Sequence, residues 1–350
     1  MVRIAINGFG RIGRGFFRAL HASNKLSAGG RAEIEIVAIN DLSSPANLAY
    51  LLKYDTVYGR APFSVSLADT VLIVDGKNIP VSAEREPAKL PWKDMGVDIV
   101  VESTGFFTDP VKAREHITAG AKKVVITAPA KGDPSTDSGQ AAVETILIGA
   151  NEEKFGTCDI SSNASCTTNA ASPLIGILNE AIGIERALLN TTHAVTASQA
   201  VVDAPNAKDF REGRAAGHNL VPTSTGAAKA TTLAYTGLAG KFDGISVRVP
   251  IASGSIVDIT FVPKRATTVE EVNDALRTAA ASLRWKRVFA VTEEPLVSSD
   301  ILGLPYGAIA DLGMTRVVDG MLVKVLAWYD NEMGYCYTLV EHVAEVAKKL

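Results

Sequence analysis

Arg3-Ile4-Ala5-Ile6-Asn7-Gly8-Phe9-Gly10-Arg11-Ile12-Gly13 is the stretch on which the fold turns. A short apolar run ends in closely spaced glycines, and Ile12, Phe16, Phe17 and Leu20 then recur at helical spacing from Arg11 to His21, so the segment reads as strand, turn and helix. Gly8, Gly10 and Gly13 match GxGxxG, whose first glycine permits a sharp turn, whose second lets a pyrophosphate approach and whose third lets the helix pack on the strand. With 29 glycines in 350 residues the pattern arises by chance ~0.2 times, so context must carry it. The context is supplied by a second apolar run, Ile34 to Ile39, which ends at Asn40-Asp41 and completes a βαβ unit. At that strand end the Asp41 carboxylate is suited to an adenosine ribose diol, and its charge repels a 2′-phosphate, which favours NAD over NADP. Further β-branched runs at Asp98–Glu102 and Lys123–Thr127, separated by a helical stretch from Pro110 to Ala119, continue the alternation. The expected fold is α/β, with a Rossmann-type doubly wound parallel sheet.

Beyond about residue 160 the β stretches become longer and alternate, as in Ile245–Val249 and Ser255–Phe261, which predicts an α+β domain with a mostly antiparallel sheet. Helices are expected at Val269–Leu283 and Leu339–Lys349. The expected organisation is a dinucleotide domain over 1–165, a catalytic domain over 166–331 and a C-terminal helix over 332–350, its apolar face from Leu339, that packs back on the first domain. A chain of 350 residues is long enough for two such cores. Its composition, 47% hydrophobic and 21% charged, is that of an ordinary globular protein.

The 35 basic and 38 acidic residues leave a net charge of -3, so no bulk field draws the chain to nucleic acid or to an anionic membrane. Any anion must be bound locally. The three cysteines, Cys158, Cys166 and Cys336, lack CxxC spacing or a histidine cluster, which speaks against a disulfide framework or a metal site and for a reducing compartment. No basic leader precedes an apolar stretch, and no apolar run approaches roughly 18 residues, so the expected location is cytoplasmic.

Ser161-Ser162-Asn163-Ala164-Ser165-Cys166-Thr167-Thr168-Asn169 leads into a helix-compatible stretch with Pro173 at its first turn or at a kink. Cys166 then sits near a helix N-terminus, where the dipole and unpaired amides favour a thiolate and later an oxyanion. A thiol with a pKa of about 8.5 is only a few per cent ionised at neutral pH. A base is therefore needed, and His193 in Thr191-Thr192-His193-Ala194-Val195-Thr196 is the natural one. Cys158 and Cys336 read as small hydrophobes, and His21, His116, His218 and His342 as satisfied structural or surface residues.

These residues resemble the phosphorylating glyceraldehyde-3-phosphate dehydrogenases over essentially the whole chain. The likeness is carried by Asn7–Arg14, Ser162–Asn169, Ser224-Thr225-Gly226-Ala227-Ala228-Lys229-Ala230, Arg248-Val249-Pro250 and Trp328-Tyr329-Asp330-Asn331-Glu332. It implies a nucleophile at Cys166 and an acid/base at His193. It also implies that Ser165, Thr167, Thr225 and Gly226 hold the attacking inorganic phosphate, that Thr196 and Arg248 hold the phosphate of an aldehyde substrate, and that Arg211 lies close to both. A guanidinium with clustered hydroxyl and amide donors suits phosphate oxygens. The cofactor contacts implied are Arg11 and Ile12 at the pyrophosphate, Asp41 at the ribose, Thr127 near the adenine-side ribose and Asn331 at the carboxamide. A homotetramer is implied too, with Ala200–Leu220 reaching toward a neighbour.

Several positions depart from the family pattern. Met333 replaces an aromatic, Cys336-Tyr337-Thr338 replaces a small residue, Asn and Arg, and Asn24–Arg31 and Gly132–Val143 read as longer loops. These changes are expected at the cofactor edge and the surface, with Met333 loosening nicotinamide packing or altering subunit contacts. Ala204-Pro205 keeps the proline typical of NAD users without the usual preceding Leu, which leaves some NADP use open. The rival enzyme is an erythrose-4-phosphate dehydrogenase, and the rival of another class is a non-catalytic dinucleotide-binding regulatory protein. The intact Cys166 and His193 oppose the second.

Overall fold

The computed structural model describes residues 1–26, 33–131, 143–207 and 209–350. Most of both expected loop enlargements, at 27–32 and 132–142, lies outside the described residues. The chain forms two compact units, one of Met1–Ile146, Glu152–Ala164 and Leu339–Leu350, the other of Leu147–Asn151 and Ser165–Thr338.

In the first unit β1 (Val2–Asn7) is flanked by β2 (Ile34–Asn40) on one side and β6 (Ile99–Glu102) on the other, both parallel to it. Between them in sequence come α2 (Pro45–Lys53) and the meander β3 (Val65–Ala68), β4 (Val71–Val74) and β5 (Lys77–Ser82). After β6 follow the short helices α3 (Pro110–Ala113) and α4 (Glu115–Thr118), then β7 (Lys123–Ile126), β8 (Val143–Thr145) and β9 (Ile160–Ser162). The nine strands run in the order β3-β4-β5-β2-β1-β6-β7-β9-β8, with only the β3-β4-β5 edge antiparallel. Chain order reverses at β1, so the glycine turn between β1 and α1 (Arg11–Leu26) opens at the switch point, where ligands of such sheets bind. Ile4, Ala5, Ile6, Val100 and Val101 are fully buried, as strands covered on both faces require. Helix α1 runs past His21, the expected end, through Asn24, whose amide donates to Ile34 O at 3.0 Å.

The second unit begins with α5 (Cys166–Ala181), a helix buried along most of its length. Its sheet contains β10 (Ile184–Ala194), β11 (Val221–Ser224), β12 (Phe242–Val249), β13 (Ser255–Pro263), β14 (Phe289–Thr292), β15 (Ala308–Val318) and β16 (Leu322–Tyr329), in the order β11-β12-β10-β13-β16-β15-β14. Four of the six pairings are antiparallel, and β10-β12 and β14-β15 are parallel. The remaining helices are α6 (Ala227–Thr232), α7 (Val269–Ala281) and α8 (Met333–Ala347), of which α8 belongs to the first unit from Leu339 onward. Helix α8 starts six residues before the apolar periodicity that begins at Leu339, because the Asp330 carboxylate holds its start by accepting the amides of Glu332 and Met333, each at 3.0 Å. Of the departures from the family pattern, Cys336 is fully buried, as a small hydrophobe is expected to be, Thr338 is 1% exposed and Met333 is 6% exposed.

In the first unit His342 is fully buried, with Ser161 Oγ 2.8 Å from its Nε2 and the Phe155 ring edge-on at 4.7 Å. Burial lowers its pKa from 6.5 to about 3. The unfolded imidazole takes up its proton near 6.5 and the folded one only near about 3, so this contribution is complete above 6.5 and erodes as pH falls toward 3. The expected loss is up to about 1.4 kcal/mol per pH unit in that window. Urea unfolding at pH 7 and pH 5 will show a smaller loss for His342→Gln than for the parent protein, and equal losses would contradict this assignment.

Candidate active site

The turn after β1 in the first unit meets the demands of a dinucleotide cradle. Gly8 has φ +90°, and a Cβ there would lie 2.6 Å from Thr104 N. A Cβ on Gly13 would lie 2.2 Å from Gly8 O, so its absence is what lets α1 sit on the strand end. A Cβ on Gly10 would meet nothing within 4 Å, which leaves the middle of the turn open to a phosphate. Gly8, Gly10 and Asp41 line a cavity of about 420 Å³ together with Asn7, Thr104 and Phe106. Asp41 is held by two backbone amides, Phe9 N at 2.7 Å and Ser43 N at 2.9 Å, which fix its carboxylate at the wall. Size, open turn and placed carboxylate all fit an adenosine diphosphate half. Arg11, Ile12, Gly13 and Thr127 are not part of that lining. Arg11 pairs with Asp55, and the Thr127 amide continues the ladder by donating to Glu102 O at 3.0 Å.

In the second unit α5 starts at Cys166, the expected nucleophile. Ser165, extended at φ -108°, ψ 166°, caps the helix by accepting Thr168 N at 3.1 Å, and Cys166 is the first helical residue. Strand β10 alternates so that Thr191 and His193 face inward, and His193 Nε2 comes within 3.4 Å of Cys166 Sγ. Its other nitrogen, Nδ1, lies 2.6 Å from Ala194 O. A carbonyl only accepts, so Nδ1 carries the proton and Nε2 offers its lone pair to the thiol.

The electrostatics differ from the expectation of a resting thiolate. Arg248, the amides of Cys166 and Thr167 and the Thr167 hydroxyl pull the thiol pKa down, yet burial outweighs them and pushes it up. Burial, followed by the positive charge of Arg248, lowers His193 to about 4 despite its bond to Ala194 O. The resting pair is therefore neutral, because separating charge in this enclosed place costs more than the helix end returns.

The proposed phosphate ligands divide into those joined to this pair and those apart from it. Arg248 lies opposite His193 in the β10-β12 register, and its Nε and Nη1 are buried without a hydrogen-bond partner. Thr196 Oγ1 lies 3.0 Å from Ser198 Oγ, and its amide donates to Gln199 Oε1 at 3.2 Å. The Thr167 hydroxyl faces inward, 2.8 Å from Tyr329 OH, and Ser165 Oγ is engaged at 2.7 Å with Thr168 Oγ1. Thr225 Oγ1 accepts Ala227 N at 3.2 Å, and Gly226 precedes α6 with open space where a Cβ would be. Arg211 is exposed, and among the described residues no hydrogen bond joins it or Thr225 to Cys166 or His193. Asn331 accepts Ser255 Oγ at 2.9 Å and Gly254 N at 3.1 Å on Oδ1, which leaves its NH2 as a donor for a carboxamide oxygen.

The sequence assigns Tyr329 no role. Its hydroxyl lies 2.8 Å from Thr167 Oγ1 and 2.7 Å from Thr191 Oγ1, and its ring stands edge-on to His193 at 6.0 Å. Only the alternation Val323, Val325, Ala327, Tyr329 along β16 hints that it faces inward.

A glycine-cradled dinucleotide cavity in one unit and a thiol-imidazole pair in the other occur together in NAD-dependent oxidoreductases that work through a cysteine. Residues 2–110 match the family described as "Glyceraldehyde 3-phosphate dehydrogenase, NAD binding domain", and residues 165–331 match its C-terminal domain. The chain is 47% identical over its whole length to the glyceraldehyde-3-phosphate dehydrogenases of Mycobacterium avium, Streptomyces coelicolor and Mycolicibacterium smegmatis, covering 99% of each. It belongs to the glyceraldehyde-3-phosphate dehydrogenase family.

Removing the positive charge of Arg248 destabilises a thiolate and stabilises an imidazolium, so in Arg248→Leu both pKa values move up. Each rise of about one in the thiol pKa leaves roughly tenfold less thiolate at pH 7, and alkylation of Cys166 by iodoacetamide is expected to slow in proportion. An unchanged pH-rate curve would show that Arg248 does not reach the sulfur. Gly13→Ala is expected to cost roughly 1–3 kcal/mol and to weaken NAD binding, because its Cβ would collide with the Gly8 backbone carbonyl and crowd Ser103 Oγ. Equal melting temperature and equal NAD affinity would refute the close-packing role.

Proposed function

We propose that this protein is a phosphorylating glyceraldehyde-3-phosphate dehydrogenase, which oxidises D-glyceraldehyde 3-phosphate with NAD and inorganic phosphate to 1,3-bisphosphoglycerate. The observation that carries this reading is the 3.4 Å approach of Cys166 Sγ to an imidazole whose tautomer leaves Nε2 free to accept. Cys166 adds to the aldehyde carbon, and its proton passes to His193 Nε2 and from there to the carbonyl oxygen, which becomes a thiohemiacetal hydroxyl. NAD supplies the hydride acceptor. As hydride leaves carbon, His193 takes the hydroxyl proton, and the carbon-sulfur bond becomes a thioester. Inorganic phosphate then attacks the thioester carbonyl, the carbon-sulfur bond breaks, and the acyl phosphate leaves with Cys166 restored. The depressed pKa of His193, about 4, keeps it unprotonated at neutral pH and ready for each transfer.

In this reading Arg248 and Thr196 hold the substrate's phosphate, and Ser165, Thr167, Thr225, Gly226 and Arg211 serve the attacking phosphate. Support comes from the buried, unpartnered Nε and Nη1 of Arg248, since leaving such donors unmatched costs roughly 1–3 kcal/mol each and an anion would match them. Asp41, Gly8, Gly10, Gly13, Arg11, Ile12, Thr127 and Asn331 serve the cofactor. We further propose a cytoplasmic homotetramer. Val201, Val202, Phe210 and Leu220, 70–87% exposed, give the 200–220 segment an apolar surface suited to a neighbouring copy. A light-scattering mass near one 36.9 kDa subunit would exclude the assembly.

NADH formation from glyceraldehyde 3-phosphate and NAD is expected to be sustained only with inorganic phosphate and to vanish in Cys166→Ser. Phosphate-independent turnover of erythrose 4-phosphate would assign the sister activity instead. Silence with both substrates would leave a dinucleotide-binding protein without this chemistry.

A further inference from the structure

Behind the wall of the dinucleotide cavity lies a buried polar chain that no reaction step uses. Trp92 Nε1 donates to His116 Nδ1 at 3.0 Å. Because Nδ1 accepts, the neutral ring carries its proton on Nε2, which lies 3.0 Å from Glu102 Oε2. His116 is fully buried and Glu102 is 1% exposed. The same Oε2 accepts Asn7 Nδ2 at 2.6 Å, while Oε1 accepts the Thr104 amide at 2.8 Å and the Thr104 hydroxyl. Asn7 Oδ1 in turn accepts Asn40 Nδ2 at 2.7 Å, and Asn40 exchanges bonds of 2.8 Å with the Glu84 backbone in both directions.

The branches that leave Glu102 through Asn7 and Thr104 end at the cavity. Asn7, Asn40, Glu84 and Thr104 all line it, and Glu102 and His116 do not. A polar pair this deep is poorly explained by stability alone, since well-packed apolar residues of similar volume generally hold a fold as well or better. It is well explained by placement. Glu102, the last residue of β6, ties the end of β1 through Asn7 to the segment after β6 through Thr104. The contact with the phosphate turn is direct, because Gly8 packs so closely on Thr104 that a Cβ would lie 2.6 Å from Thr104 N. A displaced Thr104 therefore moves the turn.

We propose that Glu102 and His116 are positioning residues for the cofactor: they touch no ligand and act through Asn7 and Thr104 to set the shape of the adenosine half of the cavity. Trp92 sets the tautomer that lets His116 donate to Glu102. This inference rests on the assignment of that cavity to the dinucleotide.

The test is calorimetric titration of NAD and of ADP-ribose into the cofactor-free parent protein and into Glu102→Gln, His116→Gln, Trp92→Phe and Asp41→Ala, with melting temperatures and steady-state constants alongside. Glu102→Gln is expected to weaken both ligands by about tenfold and Trp92→Phe by a few-fold, as loss of one or two buried hydrogen bonds implies. The rise in KM for NAD should exceed the fall in kcat severalfold, with the rate of Cys166 alkylation unchanged. Parent-like affinity in Glu102→Gln and Trp92→Phe would overturn the proposal, as would a parallel loss of kcat, every KM and melting temperature, which marks a merely structural role. Should Glu102→Gln not fold, Thr104→Val decides the matter, since it exchanges only a hydroxyl for a methyl, whereas Trp92→Phe also removes ring volume from a fully buried position and is read against its melting temperature. Parent-like ADP-ribose affinity in Asp41→Ala would instead overturn the cavity assignment.

Discussion

The chemistry of the second unit depends on a thiol and an imidazole held 3.4 Å apart where neither is readily charged. Two unrelated local structures create that contact. A serine cap starts α5 at Cys166, and the alternation of β10 from Ala187 to His193 turns His193 toward it. The Ala194 carbonyl then selects the imidazole tautomer, and Tyr329 braces both sides by bonding Thr167 on the helix and Thr191 on the strand. Burial keeps the pair neutral at rest. A base lowered to about 4 is weak in water, but beside a thiol attacking a carbonyl it accepts and returns a proton without holding a stable ion pair.

Arg248 has two electrostatic duties that oppose each other at rest. Its charge favours a thiolate on Cys166 and disfavours an imidazolium on His193. An anion bound at its buried Nε and Nη1 would weaken both effects, so anion binding there would be linked to thiol ionisation through one guanidinium. In the first unit the equivalent organising constraint is steric: three glycines, each with a different environment for an absent Cβ, decide whether strand, turn and helix can come together.

Much of the fold is legible in the sequence because its signals are local. The βαβ start, the glycine turn and Asp41 follow from short-range periodicity and turn chemistry, and the nucleophile stands out because hydroxyl and amide residues surround Cys166 just before a helix. Motifs of that kind sit on contiguous chain. Periodicity places the start of the last helix too late, because its cap, Asp330, is followed by no strong apolar stripe until Leu339. The burial of Thr338 is not legible for a related reason: burial depends on what packs over a residue, which no window of sequence contains.

The sequence by itself determined the fold class and singled out the glycine turn, Cys166 and His193 as the groups proposed for cofactor and chemistry, since each is written in residues close together or in a pattern with one chemical use. The tertiary structure alone decided the charge state of the catalytic pair, the inward turn of the Thr167 hydroxyl toward Tyr329, the unmatched donors of Arg248 and the Trp92-His116-Glu102 chain. These features join residues far apart in the chain, and their energies depend on how completely water is excluded. Desolvation is a property of the assembled neighbourhood, and it exists only once strands and helices have closed over the groups concerned.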